Sequence, residues 1–569
     1  DTYGNQTSAN RTVGTYIIDK SDYTTDVSGG SSGATFSVAV ATGGVATVTV
    51  LAEQCEPALA ASIDLTPHIN GWGINKRNHR FIAESNAGIN RDNVANLQVK
   101  WVFAMPKTKT PHTQPFITAD TVFIGDEPGM VYALDRETGC EKWRFDADTT
   151  VRTALRFMNY ESNGQQHNLL TFGTAGGEVF GIDPLTGEQQ WRILAEDHSK
   201  VMVSGSSIDH QGVIFQPVSS WEAMWAVNPF YACCDFRSSV IALDPANGEL
   251  IWRSYTIEEE SKLIKKRFLL PDQYGPSGAP VWSQPTLDAK RNRLYVGTGE
   301  NYSSPATDTS DAIIAFDLSS GEMLWHQQFL ASDAWNVACE SPFDFNCPTE
   351  RGVDLDFGAP PILVTVDGRD IILAGQKSGS VFALDPDRQG ELLWQQKPGT
   401  GGKLGGVHFS MGVDQAKGVL YVPISDRPVD ILGDNPEGEP NPSLHAFDIA
   451  TGQSIWSTQA PDICKDAKGR AVKRCRPGLS AAVTVTESLV FAPSLDGHIR
   501  AFDAETGASI WAFDTRGEFP AVNAKQAKGG SIDLGGAYLD GGQLFINAGY
   551  GTFDQQGGNA FIVLEVAGK

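Results

Sequence analysis

The chain has 569 residues, 41% of them hydrophobic and 20% charged, with a formal net charge of −24. That apolar content excludes a disordered chain, and the lack of any apolar run near eighteen residues excludes a membrane-spanning helix, so a soluble globular protein is expected. The acidity argues against nucleic-acid binding, because no basic patch offsets it, and favours cationic partners.

In chain order, residues 1–70 are expected to form a small N-terminal module. Residues 35–51, TFSVAVATGGVATVTVL, alternate around a Gly-Gly turn and read as one β-hairpin, preceded by a Ser/Thr/Gly-rich stretch. From residue 71 onward a repeat organises the chain. Seven segments place Asp after a short apolar strand, then a Gly-containing turn, then Trp, as in VYALDRETGCEKW ending at Trp143. The others end at Trp191, Trp252, Trp325, Trp394, Trp456 and Trp511. Each reads as a hairpin: the Asp accepts hydrogen bonds from turn amides, and the Gly supplies a positive φ. Spacings of 42 to 73 residues between Trp positions leave room for four strands per unit, which predicts a β-propeller. LQVKW, ending at Trp101, lacks a preceding hairpin, while residues 537–566 supply strands with no Trp after them. Joined, these halves make an eighth blade, closing residues 71–569 into an all-β, eight-bladed ring without free sheet edges.

Eight Cys are present, with no CxxC and no CxxCH, which argues against zinc, thioredoxin-like and covalent haem sites. Cys339 lies near Cys347, Cys464 near Cys475, and Cys233 next to Cys234, with Cys55 and Cys140 completing the set. Four disulfides in an oxidising compartment are expected. The chain starts at Asp1 without a signal peptide, so export implies a leader already removed. Neighbouring Cα atoms are about 3.8 Å apart, below the usual disulfide span of about 4.4–6.8 Å. A bonded Cys233–Cys234 pair is therefore a small rigid ring that structural stapling does not need; two independent cysteines remain the alternative.

The Asp…Thr-Gly…Trp repeat resembles the tryptophan-docking motif of the quinoprotein dehydrogenases that carry pyrroloquinoline quinone (PQQ), over about residues 70–566. Eight-bladed rings without a cofactor also occur in outer-membrane assembly scaffolds, so the site residues must decide. In the common methanol and ethanol enzymes the vicinal cysteines come earlier, where this chain reads TTVRTALRF. The placement in CCDFRSSVIALD, together with GWGINKRNHRF and LQVKWVFAMP, looks like the branch of cytochrome-linked polyvinyl alcohol dehydrogenases.

The resemblance implies a role for several residues. Arg152 pairs a cofactor carboxylate, suited by its forked donors, and Ser204 contacts another. Glu222, in SSWEAMW, is a calcium ligand, and Cys233–Cys234 forms one lid of the quinone. Trp282, outside the repeat register, is the stacking floor. Asn301, after Gly-Thr-Gly-Glu, is a second calcium ligand. Asp308 is the acidic base and a third metal-side group, preferred over Asp311. Lys377 touches the quinone oxygens, and His408 stands where the family has Asn.

The resemblance implies a periplasmic or secreted dehydrogenase holding PQQ and Ca²⁺, which oxidises alcohols of the polyvinyl alcohol kind. Asp308 is expected to act as base, Lys377 to stabilise charge on the quinone oxygen, and an external cytochrome c to accept electrons. A dehydrogenase of sugars or other bulky secondary alcohols, and a cofactor-free scaffold, are the alternatives. The insertions at 221–234, 258–280, 332–352 and 427–442 are expected to rim the funnel and set specificity.

Overall fold

A computed structural model describes residues 54–427, 439–466, 468–470 and 472–568, and the backbone of three N-terminal strands. Those strands, Gly14–Asp19, Phe36–Val40 and Val45–Val50, form one antiparallel sheet containing the expected hairpin. The Ser/Thr/Gly-rich stretch before it and most of the 427–442 insertion lie outside the described residues.

Eight antiparallel sheets follow one another around the ring. In blades 1 to 7, successive strands of a blade pair in chain order, and burial falls from the first strand to the fourth. In blade 1, for example, Phe116–Thr118 is wholly buried while Glu141–Asp146 is partly exposed. The first strand therefore lies inward and the Trp-bearing fourth strand at the rim. Blade 8 closes as expected: Ala560–Val566 pairs with Leu97–Ala104, with Val563 opposite Trp101.

The repeat works by docking each blade on the next. The Trp101 indole N–H donates to Arg136 O of blade 1 at 3.0 Å, Trp191 to Pro245 O at 2.8 Å, and Trp394 to Ile449 O at 2.9 Å. The turn glycine of the receiving blade lies under the ring. Gly452 has φ +69°, and a Cβ built there would come 2.7 Å from Trp394 Cδ2. Conformation and close approach both require glycine at this point. The seven Asp of the repeat, such as Asp448 accepting from Thr451 N and Oγ1, hold the turns.

Residues 69–85 have a role that their sequence did not disclose. Their backbone pairs with the innermost strands of successive blades: Leu287 N donates to Lys76 O, Leu363 N to Arg77 O, Val413 N to His79 O and Val485 N to Arg80 O. The buried Arg80 guanidinium donates to Val483 O, Gly535 O and Trp72 O. This segment therefore runs round the inside of the ring, from blade 1 at Ile69 and blade 2 at Asn70 to blade 7 at Arg80, and lines its hole. All eight cysteines are bonded, as Cys55–Cys140, Cys233–Cys234, Cys339–Cys347 and Cys464–Cys475. Among the described residues no helix is long and apolar enough to cross a membrane.

Candidate active site

Beside the inner segment, Trp72, Arg152, Ser204, Trp282, Gly358 and Phe409 line a narrow cleft with a cavity volume of about 20 Å³. Trp282 sits here because the chain breaks strand geometry at Ala279–Gln284, between blades 3 and 4. A side chain on Gly358 would strike its ring, with a built Cβ 2.1 Å from Trp282 Cη2. The edges of the indole are fixed by His408 and Phe409, each 5.9 Å away between ring centroids.

Several cavity groups lack partners. Arg152, which lines the cavity, has one side-chain hydrogen bond among the described residues, to His112 Nδ1 at 3.3 Å. Burial lowers the pKa of both, most strongly that of His112, which is neutral and accepts. The indole N–H of Trp72 and the hydroxyl of Ser283 are buried with no hydrogen-bond partner. Buried donors of this kind normally find acceptors, so a flat, apolar-faced molecule bearing anionic groups fits the set. Ser204 shares a 2.7 Å hydrogen bond with Ser219.

At the edge of Trp282 stands a buried acid cluster. The Trp282 indole N–H donates to Asp356 Oδ2 at 3.0 Å, and Lys377 Nζ donates to Asp354 Oδ1 and Asp356 Oδ2, both at 2.8 Å. Glu300, Asp354 and Asp356 bring ligand oxygens within 4.8 Å of one another. Burial alone would raise Asp356, but Lys377 and a hydrogen bond from Glu300 outweigh it and hold its pKa at about 2. Burial, reinforced by the neighbouring carboxylates, pushes Glu300 well above the usual range, and burial is also the main cause that raises Asp354. Burial alone would lower Lys377; Asp354, Asp356 and Glu300 outweigh it and raise its pKa. Asp311 is fully buried, both its oxygens lack partners, and burial with the charges of Asp333, Asp356 and Asp354 drives its pKa up. One ammonium faces five buried carboxyls. Such an arrangement calls for protons or a hard cation, and an all-oxygen donor set suits calcium.

The structure thus brings together Arg152, Ser204, Trp282, Lys377 and His408. His408 is neutral, its pKa depressed by burial and then by Lys377, and its Nδ1 lies 2.8 Å from Ser480 Oγ. Asp308 lies away from this cavity. Its side chain is 78% exposed, lies 3.3 Å from His326 Nε2, and shares a surface groove with Leu324 and Trp325 of blade 4's rim strand. Three residues later Asp311 turns inward at φ +47°. Asn301 is buried, but its amide donates to Ser277 O and its Oδ1 accepts from Thr307 N. Glu222 is buried as a clamp: Tyr231 Oη, Asp235 N and Phe236 N each donate to it at 3.0 Å, fixing the loop that carries Cys233–Cys234. Burial raises its pKa to about 7. Glu300, Asp333, Asp354 and Asp356 went unread in the sequence. Glu300 directly follows Gly-Thr-Gly, and the paired acids of VDLDFG were the available signal.

A family model described as outer membrane protein assembly factor BamB matches residues 93–253 and 377–549, and one described as glucose/ethanol/alcohol dehydrogenase, beta-propeller domain, matches 237–398. The first leaves out 254–376, where Trp282, Glu300 and Asp356 stand; the second spans them. A polyvinylalcohol dehydrogenase of a Pseudomonas species is 35% identical over 88% of this chain and 77% of its own length. One from a Sphingopyxis species is 33% identical over 91% and 79%. The crystal structure of quinohemoprotein alcohol dehydrogenase from Comamonas testosteroni shares the fold, with a TM-score of 0.63 and 17% identity over 90% of this chain and 84% of that one. The chain belongs to the PQQ-type β-propeller family and stands among its alcohol dehydrogenases, alongside the polyvinyl alcohol dehydrogenases.

Proposed function

We propose that the chain oxidises secondary alcohols of the polyvinyl alcohol kind, with PQQ in the axial cavity and Ca²⁺ among the acids beside it. The observation that carries this reading is the buried group of Glu300, Asp311, Asp354 and Asp356 around Lys377 at the edge of Trp282. Trp282 would offer its face to a planar ring, and Arg152, Ser204 and the Trp72 indole N–H would hold carboxylates; the Cys233–Cys234 ring, which packs with Phe236 and Tyr302 and does not line the cavity, is the family's expected lid. Glu300, Asp354 and Asp356 would hold the cation, with Glu222 and Asn301 as outlying candidates. When bound, the quinone supplies the two-electron acceptor and the cation supplies Lewis acidity.

Asp356 replaces Asp308 as the base. It is the carboxylate held ionised, and a base this weak would take the hydroxyl proton only from an alcohol made acidic by the neighbouring cation, while Lys377 balances the charge. His408, neutral and packed on Trp282, helps wall the ring against water. Four disulfides support an oxidising, periplasmic or extracellular setting. The net charge of −24 supports a basic cytochrome c as acceptor, its reduction slowing as salt rises.

The test is protein reconstituted with PQQ and CaCl₂ and assayed by dye reduction with 2-propanol, pentane-2,4-diol, polyvinyl alcohol, glucose and a polycyclic alcohol. The account predicts turnover of the acyclic secondary alcohols. It also predicts that Asp356→Asn lowers kcat at least about a hundredfold while still binding quinone, and that Asp308→Asn behaves as wild type. Loss of turnover in Asp308→Asn alone would contradict it. Preference for glucose would move the substrate to sugars, and no quinone binding at all would favour a scaffold.

A further inference from the structure

The hairpin of Lys262–Lys265 with Gln273–Gly275 is a two-stranded sheet of its own, outside the eight blades. Its return strand is bonded to the Cys233–Cys234 loop, Tyr274 N donating to Cys233 O at 2.9 Å. At the other end Arg267 N donates to Asp272 Oδ1 and Arg267 Nε to Pro271 O, closing a turn around Phe268, Leu269 and Leu270. The same guanidinium donates to Phe345 O and Asn346 Oδ1, and Gln273 Nε2 donates to Phe345 O. The turn is thus braced on the 332–352 insertion and held in one shape.

Held in this way, the turn turns apolar side chains to solvent. Phe268 is 98% exposed and Leu269 82%, and Leu263 and Ile264 on the leading strand and Phe343 and Phe345 on the brace are exposed as well. Apolar groups grouped and fixed in water mark an interaction site. Lys265 and Lys266 stand exposed beside them and form no ion pair with any described residue, so the tip is locally cationic on a chain of net charge −24. The acids nearby are distant or engaged. Glu258, Glu259 and Glu260 lie at the base of the hairpin, about 13 Å of strand from the tip and beyond the screening length of about 8 Å at physiological salt. Glu259 pairs with Lys262, and Asp344 with Arg351.

We propose that this tip is a peripheral anchor that inserts Phe268 and Leu269 into the surface of an anionic phospholipid bilayer, with Lys265 and Lys266 on its headgroups. A projecting apolar turn needs no preformed pocket in a fluid lipid interface, whereas a protein partner must supply one. Lysines at such a turn lay their carbon stems along the apolar surface and keep their ammonium groups at the phosphates. The unpaired lysines disfavour a basic protein at this face, and an anionic bilayer meets the charge and the apolar tip together. The anchor does not depend on the reaction proposed above.

The test is flotation of the full chain, without added calcium, on vesicles of phosphatidylcholine alone and of phosphatidylcholine with about 30% phosphatidylglycerol, at low and high salt. Binding to the phosphatidylglycerol vesicles is expected, falling as salt rises and at least about tenfold tighter than to phosphatidylcholine. Phe268→Ser with Leu269→Ser, and separately Lys265→Gln with Lys266→Gln, should each weaken it about tenfold or more, with the unfolding midpoint unchanged. In Phe268→Trp, the fluorescence difference from wild type should shift to the blue when the anionic vesicles are added. Equal binding to both vesicles, double variants that bind like wild type, or an unshifted spectrum on bound protein overturns the proposal. So does absence of binding to either vesicle, which would leave an acidic protein as the partner of the tip.

Discussion

Replacing Lys377 by Met is expected to move two properties in opposite directions. In the apoprotein the ammonium lies 2.8 Å from both Asp354 and Asp356, with all three groups buried. Removing it strands carboxylates in a dry interior, and breaking such a pair costs about 3–5 kcal/mol. Proton uptake by Asp354 and Asp356 returns part of this. The unfolding midpoint should therefore fall clearly in EDTA. Calcium binding should strengthen, because a unit positive charge about 6 Å from a divalent ion opposes it by roughly 5 kcal/mol at an effective dielectric of about 20. Even after proton uptake, affinity should rise about tenfold to a hundredfold. Calorimetric titration with CaCl₂ and thermal unfolding with and without the ion read both effects, with Lys377→Arg as the charge-conserving control. A variant with equal or weaker calcium stabilisation than wild type would refute the idea that these carboxylates form the cation site.

Two predictions address the scaffold. Gly452→Ala places a methyl at φ +69° against Trp394, whereas Gly164→Ala, at φ +74°, meets nothing within 4 Å. The first should cost about 2–4 kcal/mol and the second about 1, read from urea midpoints; equal costs would remove the docking role of the glycine. Asp533 is buried and accepts from Leu534 N, and burial raises its pKa to about 6. A carboxyl raised by folding stabilises the protein below its unfolded pKa, and that contribution is lost as pH rises through about 6. Relative to Asp533→Asn, wild type should therefore lose about 2 kcal/mol of stability between about pH 4 and pH 7. A difference that stays flat with pH, measured by denaturant unfolding, contradicts the assignment.

The ring was legible because its information is local and repeated. Each Asp, turn Gly and Trp lies within one hairpin, and the unpaired Trp101 strand announced the closure that Val563 completes. Trp282 was legible because it breaks that register. The acids were harder to read, since their assembly depends on chain returns that leave no periodic trace. Asp333 and Asp354 are separated by an insertion that loops out and comes back, and only folding sets them against Glu300 and Lys377. That Asp311 and not Asp308 stands near the acids was hard to read for a related reason. Counting along a turn gives distance from the strand, whereas the left-handed backbone at Asp311 decides which carboxyl faces the axis. The course of residues 69–85 round the inside of the ring was unreadable because it is held largely by main-chain pairing with many blades, which no side-chain pattern encodes.

The most direct measurement is a crystal structure of the protein grown with PQQ and CaCl₂. The account predicts planar density lying on the Trp282 face and reaching Arg152, with a cation about 2.3–2.6 Å from oxygens of Glu300 and Asp356. An axial cavity filled by protein side chains, with those acids still gathered about Lys377 alone, would contradict it.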